Sequence, residues 1–210
     1  MRSFEWMYFV RFSCACVACL EKFITFVDWW RSLVQNEVPT LQEKQKITKS
    51  YNVKNMKVAV IMGSTSDLEI MSQAINVLEG FGVEVVKKVI SAHRTPDLMC
   101  EFAKSAKANG IGAIIAGAGG AAHVAGVVAG MTTVPVIGVP IQTKALGGMD
   151  SLLSIVQMPP GVPVATMAIN GAKNAALYAV QILALTDEIL AAKLDAFRKE
   201  QTQKVLDATI

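Results

Sequence analysis

From residue 56 onward, short apolar runs alternate with longer stretches in which apolar residues recur every three or four positions. Residues 57–62 (KVAVIM) form a β-rich run that stops at Gly63. Residues 66–81 place Leu68, Met71, Ile75 and Leu78 at helical spacing, with Gly80 and Gly82 as stops. The alternation continues with strands predicted at 83–90, 111–116, 134–139 and 164–169, and helices at 95–109, 120–131, 148–157 and 172–185. A charged amphipathic helix, 187–206, follows.

Five strands, each followed by a helix, imply a parallel sheet covered on both faces, because parallel neighbours need crossovers and right-handed crossovers bury both surfaces. The predicted architecture is therefore α/β, a three-layer, doubly wound parallel sheet of flavodoxin-like type, strand order 2-1-3-4-5, with a long C-terminal helix. Such a sheet binds its ligand beyond the carboxyl ends of its strands, which directs attention to the residues just after each one.

After the first strand stand Gly63, Ser64, Thr65, Ser66 and Asp67, small hydroxyl residues leading into a helix. Free backbone amides there favour a phosphate or carboxylate; an ordinary N-cap by Ser66 or Asp67 accounts for the same residues. After the second strand come Ser91, Ala92, His93, Arg94, Thr95 and Pro96. Pro96 marks a helix start with Thr95 as cap, so His93 and Arg94 stand at the strand's exit. A guanidinium can grip a phosphate with two hydrogen bonds, and an imidazole is suited to moving a proton near neutral pH. After the third strand, residues 116–123 (AGAGGAAH) match a Gly-x-Gly-x-x-Ala phosphate turn. A dinucleotide site would need an acid about 20 residues on, and no Asp or Glu lies between Glu101 and Asp150. What remains is a turn free of bulky side chains, open to a small ligand, with His123 at its end. After the fourth strand, 140–150 is a polar, glycine-bearing loop able to close over a site.

Charge and composition narrow the choice. The net charge is +3, from 20 Lys and Arg against 17 Asp and Glu, and residues 1–55 carry all of it with 8 basic and 5 acidic groups. The remaining 155 residues are neutral and offer no basic face to a nucleic acid. Ten of the 14 aromatics also precede residue 56, whereas all 15 glycines follow residue 62. Two segments of different character are therefore expected, 1–55 and 56–210. The apolar stretch 6–20 contains Arg11 and is short for a bilayer span, and the uncharged stretch 111–141 contains seven Gly and two Pro, which fits buried strands and a helix better than a membrane. Cys14, Cys16 and Cys19 have no histidine in their segment to complete a usual zinc set, and His93 and His123, the two histidines, come without a cluster of acids or cysteines. Neither a metal nor another cofactor is expected, and the chain has no Walker motif and no serine nucleophile elbow.

Taken together, residues 63–67, 91–96, 116–123 and 150–159 (DSLLSIVQMP) resemble the PurE family, the N5-carboxyaminoimidazole ribonucleotide mutases of purine biosynthesis, over about residues 57–206. The bacterial mutase branch fits better than the animal carboxylase branch in 142–148 and 152–159. The resemblance implies a small phosphorylated substrate, an aminoimidazole ribonucleotide, whose 5′-phosphate would be held by Ser66, Ser91 and Arg94 and whose ribose hydroxyls by Asp67. Ser64 and the turn from Ala116 through Gly117, Ala118 and Gly119 to Gly120 would hold the carboxylated imidazole, with Ala92 beside them, and the backbone amides at 117–120 would hold the carbon dioxide and the nascent carboxylate. His93 would be the general acid and base and His123 the second active-site histidine. It further implies a cytoplasmic homo-octamer in which 152–159 and the C-terminal helix reach neighbouring sites. An aminoimidazole ribonucleotide carboxylase using free carbon dioxide, and a non-catalytic nucleotide-monophosphate binder, are the alternative readings. Two features depart from the family. Residues 169–174 are about two residues shorter than usual, and residues 1–55 have no counterpart, so that Met56 is expected to be the natural start and the extension upstream sequence read as coding.

Overall fold

A computed structural model describes residues 56–209. The cysteine cluster at 14–19, the apolar stretch 6–20 and the extension as a whole lie outside the described residues.

Five parallel strands, β1 (Lys57–Met62), β2 (Val85–Val89), β3 (Ile111–Gly119), β4 (Val136–Ile141) and β5 (Ala165–Thr166), form one sheet in the order β2-β1-β3-β4-β5. The alternation along β1 sets the layers. Val58, Val60 and Met62 face one side, where α1 (Leu68–Phe81) and α5 (Ala172–Ala184) bring Met71, Leu78, Ala176 and Val180. Ala59 and Ile61 face the other, against α2 (Pro96–Ser105), α3 (Val124–Ala129) and α4 (Met149–Val156) with Met99, Val128 and Ile155. Both faces are thus apolar and covered, as the near-continuous hydrophobic runs of the strands require. The last helix, α6 (Glu188–Leu206), is capped by Asp187, whose carboxylate accepts from the Ile189 and Leu190 amides, and it leans on the body through Phe197 against Phe81.

The uncharged stretch 111–141 is β3, α3 and β4, and no helix among the described residues is long and apolar enough to cross a membrane. Several elements are shorter than their periodicity predicts: β2 keeps 85–89 of the expected 83–90, and α2 ends at Ser105 instead of 109, since 106–110 form a turn that closes at Gly110 in a left-handed backbone (φ +76°). Strand five keeps Ala165 and Thr166 alone, because it is an edge strand paired only with Ile137 and Gly138 of β4. The helix predicted from 120 begins at Val124, since Gly120 adopts a left-handed backbone (φ +70°) and residues 121–123 form a turn. Conversely β3 runs on to Gly119, because β4 continues to Ile141 beside it.

Candidate active site

The loops after β1, β2, β3 and β4 meet at the carboxyl edge of the sheet around a cleft of about 510 Å³. Ser64, Ser66, Asp67, Ser91, Ala92, His93 and Arg94 all line it, and from the third loop Ala118 and Gly119 do. Ala116 and Gly117 do not. Ala116 is fully buried within β3, and a Cβ at Gly117 would fall 2.3 Å from the Met71 sulfur, so these two small residues serve the packing of the sheet beneath the cleft.

The first loop is a single 3-10 turn, Thr65–Asp67, capped one turn earlier than either Ser66 or Asp67 would do. Ser64 is the cap. Its hydroxyl accepts from the Ser66 amide at 3.3 Å while Asp67 Oδ2 accepts from the Ser64 amide at 3.0 Å, a reciprocal capping box. Asp67 is only 7% exposed. That burial pushes its carboxyl above the usual 3.8, although the Ser64 amide, the Ser66 side chain, the Arg94 charge and the Gly63 amide all pull the other way.

Arg94 is held in place before any ligand arrives. Its Nη2 donates to the Gly63 carbonyl at 2.9 Å, and its Nε and backbone amide each donate to Ser91 Oγ at 3.3 Å. The guanidinium thereby ties the loop after β2 to the loop after β1 while its other nitrogen remains open to an anion. Thr95 stands at the cap position of α2, but its hydroxyl turns back, accepting from the Ser91 amide and donating to the Ser91 carbonyl, both at 3.0 Å. It shapes the Ser91–Arg94 turn and leaves the first turn of α2 uncapped.

His93 and His123 are brought together from loops 30 residues apart. Nε2 of His93 lies 2.8 Å from Nδ1 of His123, with the rings edge to face at 4.9 Å between centroids. One hydrogen occupies that contact, so the two facing nitrogens cannot both carry a proton. His93 lines the cleft; His123 is exposed and is not among the lining residues.

The turn after β3 is fixed by a hydroxyl that sequence reasoning did not single out. Ser151, fully buried at the start of α4, donates to the Ile141 carbonyl at 2.6 Å and accepts from the Gly120 amide at 2.8 Å. The Gly120 amide is therefore engaged inside the protein and is not a free donor to a ligand. Ser154 adds a contact to the Gly120 carbonyl at 3.2 Å. The far wall consists of Ile141, Gln142 and Thr143, from a loop that sequence had marked as polar and able to cover a site without naming any of its side chains as ligands. Thr143 is anchored to both carboxylate oxygens of Asp150. Among the described residues no group of three or more His, Cys, Asp or Glu is placed to hold a metal ion.

Comparison with known proteins gives this cleft a context. The AIR carboxylase family profile matches residues 57–204. An N5-carboxyaminoimidazole ribonucleotide mutase of Brucella melitensis is 58% identical over 155 residues, 73% of this chain and 96% of that protein. One from Bacillus subtilis is 60% identical over 154 residues, covering 72% and 95%. The crystal structure of Treponema denticola PurE superposes with a TM-score of 0.66 at 28% identity, over 71% of this chain and 94% of that one. The family profile begins where the described fold begins, and the relatives are covered over nearly their whole length; on that ground this chain belongs to the AIR carboxylase family.

Proposed function

We propose that this chain is an N5-carboxyaminoimidazole ribonucleotide mutase, an isomerase of purine biosynthesis that moves a carboxylate from the exocyclic nitrogen to ring carbon four of one ribonucleotide. One observation carries the reading. A hydrogen-bonded histidine pair adjoins an arginine-serine anion cradle at a single cleft, in a chain 58% identical to a named mutase. A simple nucleotide binder has use for the cradle but none for the pair.

In this reading Ser66, Ser91 and Arg94 hold the 5′-phosphate and Asp67 the ribose hydroxyls. Ser64, Ala92, Ala118 and Gly119 surround the imidazole, with Ala116 and Gly117 as the packed floor under them. His93 is the catalytic acid and base and His123 its partner. The carbamate carbon–nitrogen bond breaks, its electron pair stays with nitrogen, and His93 supplies the proton that nitrogen takes up. Ring carbon four then attacks the released carbon dioxide held in the cleft, and His93 recovers the proton displaced from that carbon. The cycle closes without net proton change or an outside energy source. His123, hydrogen-bonded at 2.8 Å, keeps His93 Nε2 oriented between the two transfers.

His93→Asn is expected to lower turnover by roughly 10²–10⁴-fold, as is typical when a general acid–base is lost, with the melting temperature and phosphate binding retained. Near wild-type turnover would remove His93 from the role. Substrate carrying a labelled carboxylate, turned over in unlabelled bicarbonate, should keep its label; extensive washout would indicate a carboxylase instead.

Activity is assigned to residues 56–210, the neutral portion that the family profile matches almost throughout. We also propose a homo-octamer. Leu146, Met149, Leu153 and Val156 leave an apolar stripe along α4 and the loop before it, each about half exposed or more, which association between copies would cover. Sedimentation of the full chain tests that assembly. A cytoplasmic location accords with a charged ribonucleotide substrate, which does not pass a membrane unaided.

A further inference from the structure

Asn170 is the one non-glycine residue with a left-handed backbone among the described residues, at φ +60°. It sits just past β5, in the segment 169–174 that departs from the family pattern. Its amide donates to the Pro140 carbonyl at 2.8 Å, which pins it to the end of β4. Its side chain then reaches the next loop twice. Oδ1 accepts from the Gln142 backbone amide at 2.9 Å, and Nδ2 donates to Gln142 Oε1 at 3.2 Å.

These bonds fix a direction. A backbone N–H can only donate, so the Asn170 atom facing it must be the oxygen. The nitrogen of the same carboxamide is then the atom facing the Gln142 side chain, which must answer with its own oxygen. Gln142 is left with its NH2 group unpartnered among the described residues, on a side chain that lines the cleft. The polarity of a rotatable amide is thus imposed from a backbone donor through one intervening residue.

The position of that NH2 group says what it meets. Arg94 and Ser91 follow β2, whereas Gln142 follows β4, three strands away. At about 4.8 Å per strand spacing the separation is on the order of 14 Å. With the phosphate at Arg94 and the imidazole among Ser64, Ala92, Ala118 and Gly119, as in the reading above, the wall of the cleft on the far side of that imidazole from Arg94 is the Ile141–Thr143 segment, which carries this NH2 group. We infer that Gln142 donates a hydrogen bond to the carboxylate of the bound imidazole, and that Asn170 is the positioning residue that keeps Gln142 turned donor-first. The inference rests on the mutase reading above.

Asn170→Asp is the decisive substitution. Aspartate tolerates the left-handed backbone and still accepts from the Gln142 amide, but it now also requires a donor from the Gln142 side chain. The glutamine flips and presents its carbonyl oxygen to the cleft. Titration calorimetry on the full chain compares 4-carboxy-5-aminoimidazole ribonucleotide with the same ribonucleotide lacking the carboxylate. The variant should bind the carboxylated ligand roughly 10- to 100-fold more weakly, the range for a lost hydrogen bond to a charged group, and the uncarboxylated ligand unchanged. In a Gln142→Ala background, Asn170→Asp should lose that selective effect. Equal weakening of both ligands, no weakening of either, or a selective effect that survives in Gln142→Ala would each overturn the inference while leaving the mutase reading intact. A wild-type chain that binds neither ligand would overturn the mutase reading, and the inference with it.

Discussion

Asp67 is a carboxylate whose ionisation the fold opposes. Because the folded chain holds its proton to higher pH than the unfolded chain does, the contribution of the protonated form to stability is complete below the ordinary value of 3.8 and is lost as pH rises through the raised one. At neutral pH the group therefore weakens the unliganded fold, which is the pattern expected where a buried charge is kept for a ligand. Asp67→Asn should melt above wild type at pH 7, with the gap shrinking toward pH 3, while kcat/KM falls roughly 10- to 100-fold through the weakened ribose contact. A variant no more stable at pH 7 would mean that its hydrogen bonds outweigh its burial. At this scale much was legible beforehand. The hydroxyls, the arginine and the two histidines are residue types with recognisable chemistry placed just after strands. Gln142 and Asn170 were not legible as a pair, because two amides 28 positions apart carry no spacing pattern; only the juxtaposition of the ends of β4 and β5 brings them together.

The elements hold the site through a few close approaches. Gly138 lies in β4 directly under α4, and a Cβ there would come 2.4 Å from Cγ2 of the fully buried Ile155 and 3.1 Å from Val164. A β-branched side chain with no free space cannot swing aside, so α4 itself would have to lift. Gly138→Ala is expected to cost about 1–3 kcal/mol in denaturant unfolding, and also to lower turnover in the molecules that remain folded, because α4 carries Ser151. Ser151→Ala separates the two effects. It leaves α4 in place but strips the Gly120 amide and the Ile141 carbonyl of their shared partner, and should cost about 1–3 kcal/mol together with catalytic loss. The number and type of elements followed from periodicity because both faces of this sheet are buried. Their ends did not, since Gly120 and the edge position of β5 end elements for reasons that apolar spacing does not encode.

At the scale of the molecule, the charge imbalance and the chemistry fall in different places. Residues 56–210 are formally neutral, and among the described residues that line the cleft the one Lys or Arg is Arg94, positioned by Ser91 and Gly63. Binding should therefore depend on ionic strength about as a local ion pair does, without the steep salt dependence of a broad basic face. Residues 56–210 expressed alone are predicted to turn over substrate as the full chain does, measured by conversion of the carbamate substrate at matched concentration. An inactive product would give residues 1–55 a part in the catalytic fold. The strand order, and with it the place of the cleft, could be anticipated because chain connectivity leaves a doubly wound sheet few options; the walls of the cleft could not, being set by loops that meet only after the sheet has formed.

The buried hydroxyl of Ser151 joins the third loop, the end of β4 and the first turn of α4 through one oxygen. That makes the Gly120 amide a built-in reporter. Its proton is held back from exchange while the bond to Ser151 is made, so the lifetime of one nuclear resonance should lengthen with any ligand that steadies the turn against α4, and compounds could be ranked by that single signal alone.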